Sequence, residues 1–130
     1  MRYIRTNPGS LLATEGTFLD MLTVREYYER FKNQKEVDTV VLVKEPLNSH
    51  QYPADGNHTS YAALLANKEV DCVVLETDED VRNFDLGQTK RFNTLAELLA
   101  YCRAQHFASM EFGIDTISDY AFLDHMWLKH

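Results

Sequence analysis

The chain has 130 residues, of which 45% are hydrophobic, 12% aromatic and 25% charged, the make-up expected of one globular domain over residues 1–130. Its 13 basic and 20 acidic side chains leave a net charge of −7, which argues against nucleic acid and against a polybasic membrane surface as partners. With no run near the ~18 apolar residues of a membrane span, no apolar stretch after Met1 like that of a signal peptide, and only Cys72 and Cys102 outside any CxxC pair, the expected compartment is the cytoplasm.

Tyr3-Ile4-Arg5 predicts a short strand, stopped by the turn triplet Asn7-Pro8-Gly9. Ser10 to Thr17 reads as extended chain or loop. Val24, Tyr27, Tyr28 and Phe31 recur at helical spacing, and Thr23 with Glu26 forms a capping-box pattern, so a helix is expected from about Thr23 to Asn33. Thr39 to Val43 is β-branched and apolar on both faces, the mark of a central strand. Pro46 to Ser49 is a loop. Gln51 to Ala54 is a brief strand, which Pro53 places at an edge or a strand end. Asp55-Gly56-Asn57 is a turn signal ahead of an Ala/Leu-rich helix from Thr59 to Asn67.

Val70 to Leu75 is a second buried strand, and Glu76 to Asp80 an acidic, solvated loop without the spacing of a calcium loop. Thr94 with Glu97 opens a helix through about Gln105. Ser118 caps a last helix carrying Tyr120, Ala121, Phe122, Leu123, Met126, Trp127 and Leu128, apolar enough to be core or the interface of a homodimer. The expected fold is therefore mixed α/β, with a few short strands, flanking helices and a helical C-terminal part over 81–130. The five histidines (50, 58, 106, 125 and 130) show no metal-ligand spacing, and no metal ligand is assigned. Cys72 reads as a small buried hydrophobe, and Cys102 has no activating base in its sequence neighbourhood.

The segment that stands out is Tyr52-Pro53-Ala54-Asp55-Gly56-Asn57-His58-Thr59, where a strand ends and a helix begins. The first N–H groups of a helix have no internal partner, and the macrodipole places about half a positive charge there. Gly56, without a Cβ, would let a phosphate approach the backbone. His58 would donate to a phosphate oxygen, and Asp55 would hold magnesium or take a proton. The structural alternative is that Asp-Gly-Asn is turn chemistry, Asn57 an N-cap, and His58 a cover for the helix end.

This segment resembles the Asp-Gly-[His/Asn]-His-Arg helix start of the ParB/sulfiredoxin-like superfamily. The resemblance extends over residues 1–80: an early strand, a loop with Ala13-Thr14-Glu15, a helix, a Val-rich strand, a short strand ending in Asp55, the motif helix and another strand. It implies a ParB-like fold that binds nucleotide phosphates at the motif helix, as in CTP-hydrolysing partition proteins, sulfiredoxins and an ADP-dependent serine kinase. Carried over by position, Gly56, Asn57, His58 and Thr59 would cradle the phosphate, and Asp55, His58 and Glu15 would be the catalytic groups. Glu15 would serve as general base or as a magnesium ligand through water, with Thr14 and Thr17 adding hydroxyls.

Two positions depart from the pattern. Asn57 stands where sulfiredoxins have their reactive cysteine, which excludes repair of sulfinic acids. Thr59 stands where the motif has arginine, so a permanent charge and a fork of donors are replaced by one hydroxyl. Arg25 or Lys44 would have to supply that charge. The implied function is a nucleotide-binding protein, a small-molecule kinase or an NTPase, using Mg2+ with ATP, ADP or CTP. The alternative is a degenerate, non-catalytic ParB-like regulatory or protein-interaction module. Charge placement leaves room for either. Residues 1–44 carry seven basic and six acidic side chains against six and 14 in residues 45–130, so a small anion would be met by the N-terminal third.

Overall fold

The computed structural model describes residues 1–15, 19–84 and 92–121. The expected mixed α/β fold is observed. In chain order the elements are β1 (Arg2–Thr6), α1 (Met21–Lys32), β2 (Val40–Lys44), β3 (Gln51–Asp55), α2 (Asn57–Leu65), β4 (Val70–Leu75), α3 (Asp78–Asn83) and α4 (Leu95–Glu111). The strands form one sheet in the order β1-β4-β2-β3. β4 runs parallel to β2 and antiparallel to β1, and β2 runs antiparallel to β3.

β2 and β4 are the inner strands, which is why their sequences are apolar at consecutive positions rather than at alternate ones. Val40 and Leu42 face one side with Val70, Cys72 and Val74, where α1 and α2 cover them through Val24, Tyr61, Ala62 and Ala63. Val41 and Val43 face the other side with Val73 and Leu75, under Val81, Leu98 and Cys102 of α3 and α4. Each such side chain removed from water contributes about 1.5–3 kcal/mol, so the alternation along β2 ties both helical layers to one strand. Pro53 lies in β3, an edge strand, as its missing N–H requires.

Several boundaries differ from the sequence reading. α1 begins at Met21, two residues early, because Asp20 is the N-cap: its carboxylate accepts from the Leu22 N–H at 3.0 Å and from the Thr23 hydroxyl. Thr23 is thus inside the helix, not its cap. The acidic run is not a free loop. Thr77 and Asp80 close a capping box over α3, whose first turn holds Asp78, Glu79 and Asp80, where negative charge meets the positive end of the helix dipole. α4 opens at the expected Thr94 cap and runs on to Glu111. Ile117–Asp119 form a single 3-10 turn, and residues 122–130, which make up most of the expected last helix, lie outside the described residues, as does Thr17.

The C-terminal part returns to the N-terminal one. Leu12 bridges Thr116, the Ala13 N–H donates to the Asp115 carbonyl at 2.9 Å, and the Ile117 N–H donates to the Leu11 carbonyl at 2.9 Å. Tyr120 then packs on Tyr61 of α2, with ring centroids 5.8 Å apart. The segment from Leu11 to Glu15 is therefore held from both sides. Among the described residues no helix is long and apolar enough to cross a membrane.

Candidate functional site

β3 ends at Asp55, and the chain turns into α2 through Gly56 at φ 117°, ψ 23°. Glycine is required there for two separate reasons. The left-handed backbone is strained for any residue with a Cβ, and a Cβ at this position would stand 2.9 Å from Val40 Cγ2 and 3.2 Å from Val40 Cα. The open side of Gly56 thus faces β2. What glycine permits here is close approach of the helix start to the sheet, where the sequence reading had expected a phosphate.

Asn57 is the first residue of α2, and Gly56 occupies the N-cap position with no side-chain cap bond. The Asn57 amide is buried and used at both ends. Its Oδ1 accepts from the Thr14 N–H at 3.0 Å, and its Nδ2 donates to Thr14 Oγ1 at 2.9 Å. Thr14 Oγ1 in turn donates to the Pro53 carbonyl at 2.5 Å. This closed set of bonds ties the Ala13-Thr14-Glu15 segment to the end of β3 and the start of α2. Unmaking a buried bond of this kind costs about 1–3 kcal/mol.

His58 is engaged as well. The Asp20 N–H donates to His58 Nε2 at 2.9 Å, so that nitrogen presents its lone pair and the neutral ring carries its proton on Nδ1. The same Asp20 caps α1, and His58 therefore fastens the start of one helix to the start of the other. Thr59 is buried, at 4% exposure, and its hydroxyl lies beside the phenol of Tyr27.

Asp55 and Glu15 are the two carboxyls that the sequence singled out. Burial pushes the Glu15 carboxyl above its ordinary range; His58 pulls it down and Asp55 pushes it further up. Asp55 is likewise raised, first by desolvation and then by Asp38, against the Gly56 N–H and His58. The structure thus places Glu15, Asp55 and His58 within electrostatic reach of one another. Among the described residues it brings them no lysine or arginine. Lys44 pairs with Gln51 at the far end of the β2–β3 ladder, three residues or about 10 Å from the Val41–Asp55 pair. Arg25 lines a groove of about 440 Å³ between α1 and Leu65 of α2. Among the described residues, the charged groups that shift Glu15 and Asp55 are carboxylates and His58. No set of three or more His, Cys, Asp or Glu among them is arranged to hold a metal ion.

Three neighbours of the site carry no motif in the sequence. Tyr27 donates to the Asp38 carboxylate at 2.7 Å, and that bond holds its phenol above the usual range. Asp38 is the charge that raises Asp55. Tyr120, at 3% exposure, has its phenol pushed up to about 12 by burial, with the Glu15 carboxylate adding to the effect. Tyr27 and Asp38 are 11 residues apart and Tyr120 is 105 residues from Glu15, so only the fold joins them. Asp20 did carry a signal: an Asp ahead of a helical apolar pattern is an N-cap.

Cys72 and Cys102 are both buried, and burial pushes both thiols up to about 12, which keeps them protonated and unreactive. Comparison of the chain with protein-family models, with curated proteins and with solved structures finds no match.

Proposed function

We propose that this chain is a non-catalytic ParB/sulfiredoxin-like module that acts by binding, in a regulatory or protein-interaction role, and does not transfer phosphoryl groups. The ParB-like part of the reading is supported by the order of elements from β1 to β4, which is the order the resemblance implies. The non-catalytic part is carried by one observation. His58 Nε2 accepts from the Asp20 N–H, while the Asn57 amide is spent on Thr14. The side-chain atoms engaged in this way hold the fold, and among the described residues no lysine or arginine acts on Glu15 and Asp55. Phosphoryl transfer depends on positive clamps around the transferred group, and the charged groups acting on Glu15 and Asp55 among the described residues are carboxylates and His58.

A second reading, a protein that binds ATP, ADP or CTP with Mg2+, is favoured by a different observation. The cap residue of α2, Gly56, makes no side-chain cap bond, so the first N–H groups of the helix have no acceptor from it. A thermal-shift series with ATP, ADP, CTP and GTP at millimolar concentration, with and without magnesium, separates the two. The non-catalytic reading predicts no release of inorganic phosphate and no stabilisation that depends on His58. A shift present in the wild type and lost in His58→Ala, with phosphate release lost in Glu15→Gln, would establish the second reading instead.

A further inference from the structure

Two surface cavities are lined by residues outside the Asp55–Thr59 segment, and they differ in kind. The larger, about 700 Å³, sets Arg5, Lys35 and Lys68 against Glu36, Glu69 and Asp71, with Arg5 and Asp71 paired at 2.9 Å. Its charges are balanced within the cavity. The smaller is the groove of about 440 Å³ between α1 and Leu65 of α2, and its lining is mainly apolar. Val24 is buried there, whereas Met21 and Leu65 are left 43% and 44% exposed. Arg25 and Glu29, one turn apart on α1, also line it, and neither has an ion-pair partner among the described residues. A groove between two helices with an apolar lining and a charge of each sign suits an amphipathic segment.

The chain itself supplies such a segment. Residues 122–130 lie outside the described residues, and their sequence holds Phe122, Leu123, Met126, Trp127 and Leu128. Phe122 with Met126, and Leu123 with Trp127, recur at i, i+4, so the pattern has an apolar side to bury. Asp124 and Lys129 are one acid and one base, the complement of Arg25 and Glu29.

The described chain also delivers this segment to the groove. Tyr120 packs on Tyr61 with ring centroids 5.8 Å apart, and Leu65 follows Tyr61 by one turn, about 6 Å along α2. Nine residues span up to ~30 Å, several times that distance. The tether holds the chain's own segment at about millimolar effective concentration, ahead of the same segment from a second copy.

We propose that the groove between α1 and α2 is the seat of this chain's own C-terminal segment, residues 122–130, with Trp127 among the side chains that enter it. Met21 and Leu65 are then the footing of an intramolecular contact. The docking is independent of what the start of α2 binds.

Trp127 is the only tryptophan of the chain, so its fluorescence reports on the segment in the full protein with no label attached. The expected wild-type emission is blue-shifted from that of the urea-unfolded chain, with reduced quenching by acrylamide. Both readings should hold on dilution through the micromolar range. Leu65→Asp and Met21→Asp each set a carboxylate against the apolar segment and should return the emission to that of an indole in water. Both positions are exposed, and an acid in the first turn of α1 favours the helix; circular dichroism checks that the variants fold. Leu22→Asp, at a position 80% exposed and outside the groove lining, should leave the emission unchanged. A water-exposed indole in the wild type, a blue shift that survives in both groove variants, or an equal loss in Leu22→Asp overturns the proposal. So does a blue shift lost on dilution, which would assign the segment to the groove of a second copy.

Discussion

The two faces of the sheet treat their carboxylates in opposite ways. On the α4 face, Glu45 is buried at 4% exposure and met by the Arg103 guanidinium through a bidentate pair, so its charge is neutralised where it lies. On the α2 face, Glu15 is half-buried and Asp55 exposed, with no lysine or arginine among the described residues acting on them, and both carboxyls are raised. The difference separates a carboxylate that the fold neutralises from two that it leaves without a cationic partner among the described residues. A fold that buries a charge for architecture supplies its partner, as at Glu45. Carboxyls raised without such a partner cost stability when they ionise.

The sharpest way to break this contrast is at the turn that follows Asp55. Gly56→Ala combines a left-handed backbone with a Cβ driven against Val40, and should lower unfolding free energy in urea by about 2–4 kcal/mol. Asn57→Ala orphans the buried Thr14 N–H and should cost about 1–3 kcal/mol. Arg103→Ala leaves Glu45 buried without its partner and should lower Tm by several degrees, whereas Glu45→Gln with Arg103 retained should lower it less. His58→Ala removes the acceptor for the Asp20 N–H, which is exposed enough for water to replace it, so about 0.5–1.5 kcal/mol is expected. If His58 served only a ligand, that loss without any ligand present would be absent.

The smallest effect has the most telling sign. A carboxyl raised in the folded state favours the protonated form, so its ionisation works against folding as pH climbs past the unfolded value. Glu15→Gln and Asp55→Asn should each raise Tm slightly at pH 7 and leave it unchanged near pH 3, where the wild-type groups are protonated in both states. A fall in Tm at pH 7 would mean that these carboxylates are partnered after all, and the contrast between the two faces would collapse.

Periodicity and turn chemistry made much of this legible from residues alone. The apolar run at Val40–Val43 announced an inner strand, Pro53 an edge, and Thr94 with Glu97 a helix start, because each depends on local sterics or on alternation across a sheet. The motif placed Glu15, Asp55 and His58 in one neighbourhood. What the residues did not disclose was the direction each faces. Gly56 serves Val40, Asn57 serves Thr14 and His58 serves Asp20, and all three partners lie 16 or more residues away in sequence. The same holds for Tyr120 against Glu15 and His106 against Ala13, long-range contacts that no local pattern encodes.

The central claim is that the motif histidine is a fastener between two helix starts. Nitrogen-15 NMR of the imidazole tests it most directly, since the two ring nitrogens report separately which one carries the proton. The account predicts the Nδ1–H form for the neutral ring, with Nε2 an acceptor coupled to the Asp20 amide, unchanged by millimolar ATP or CTP with magnesium. A proton on Nε2, moving when nucleotide is added, would contradict it and make His58 a ligand-binding residue.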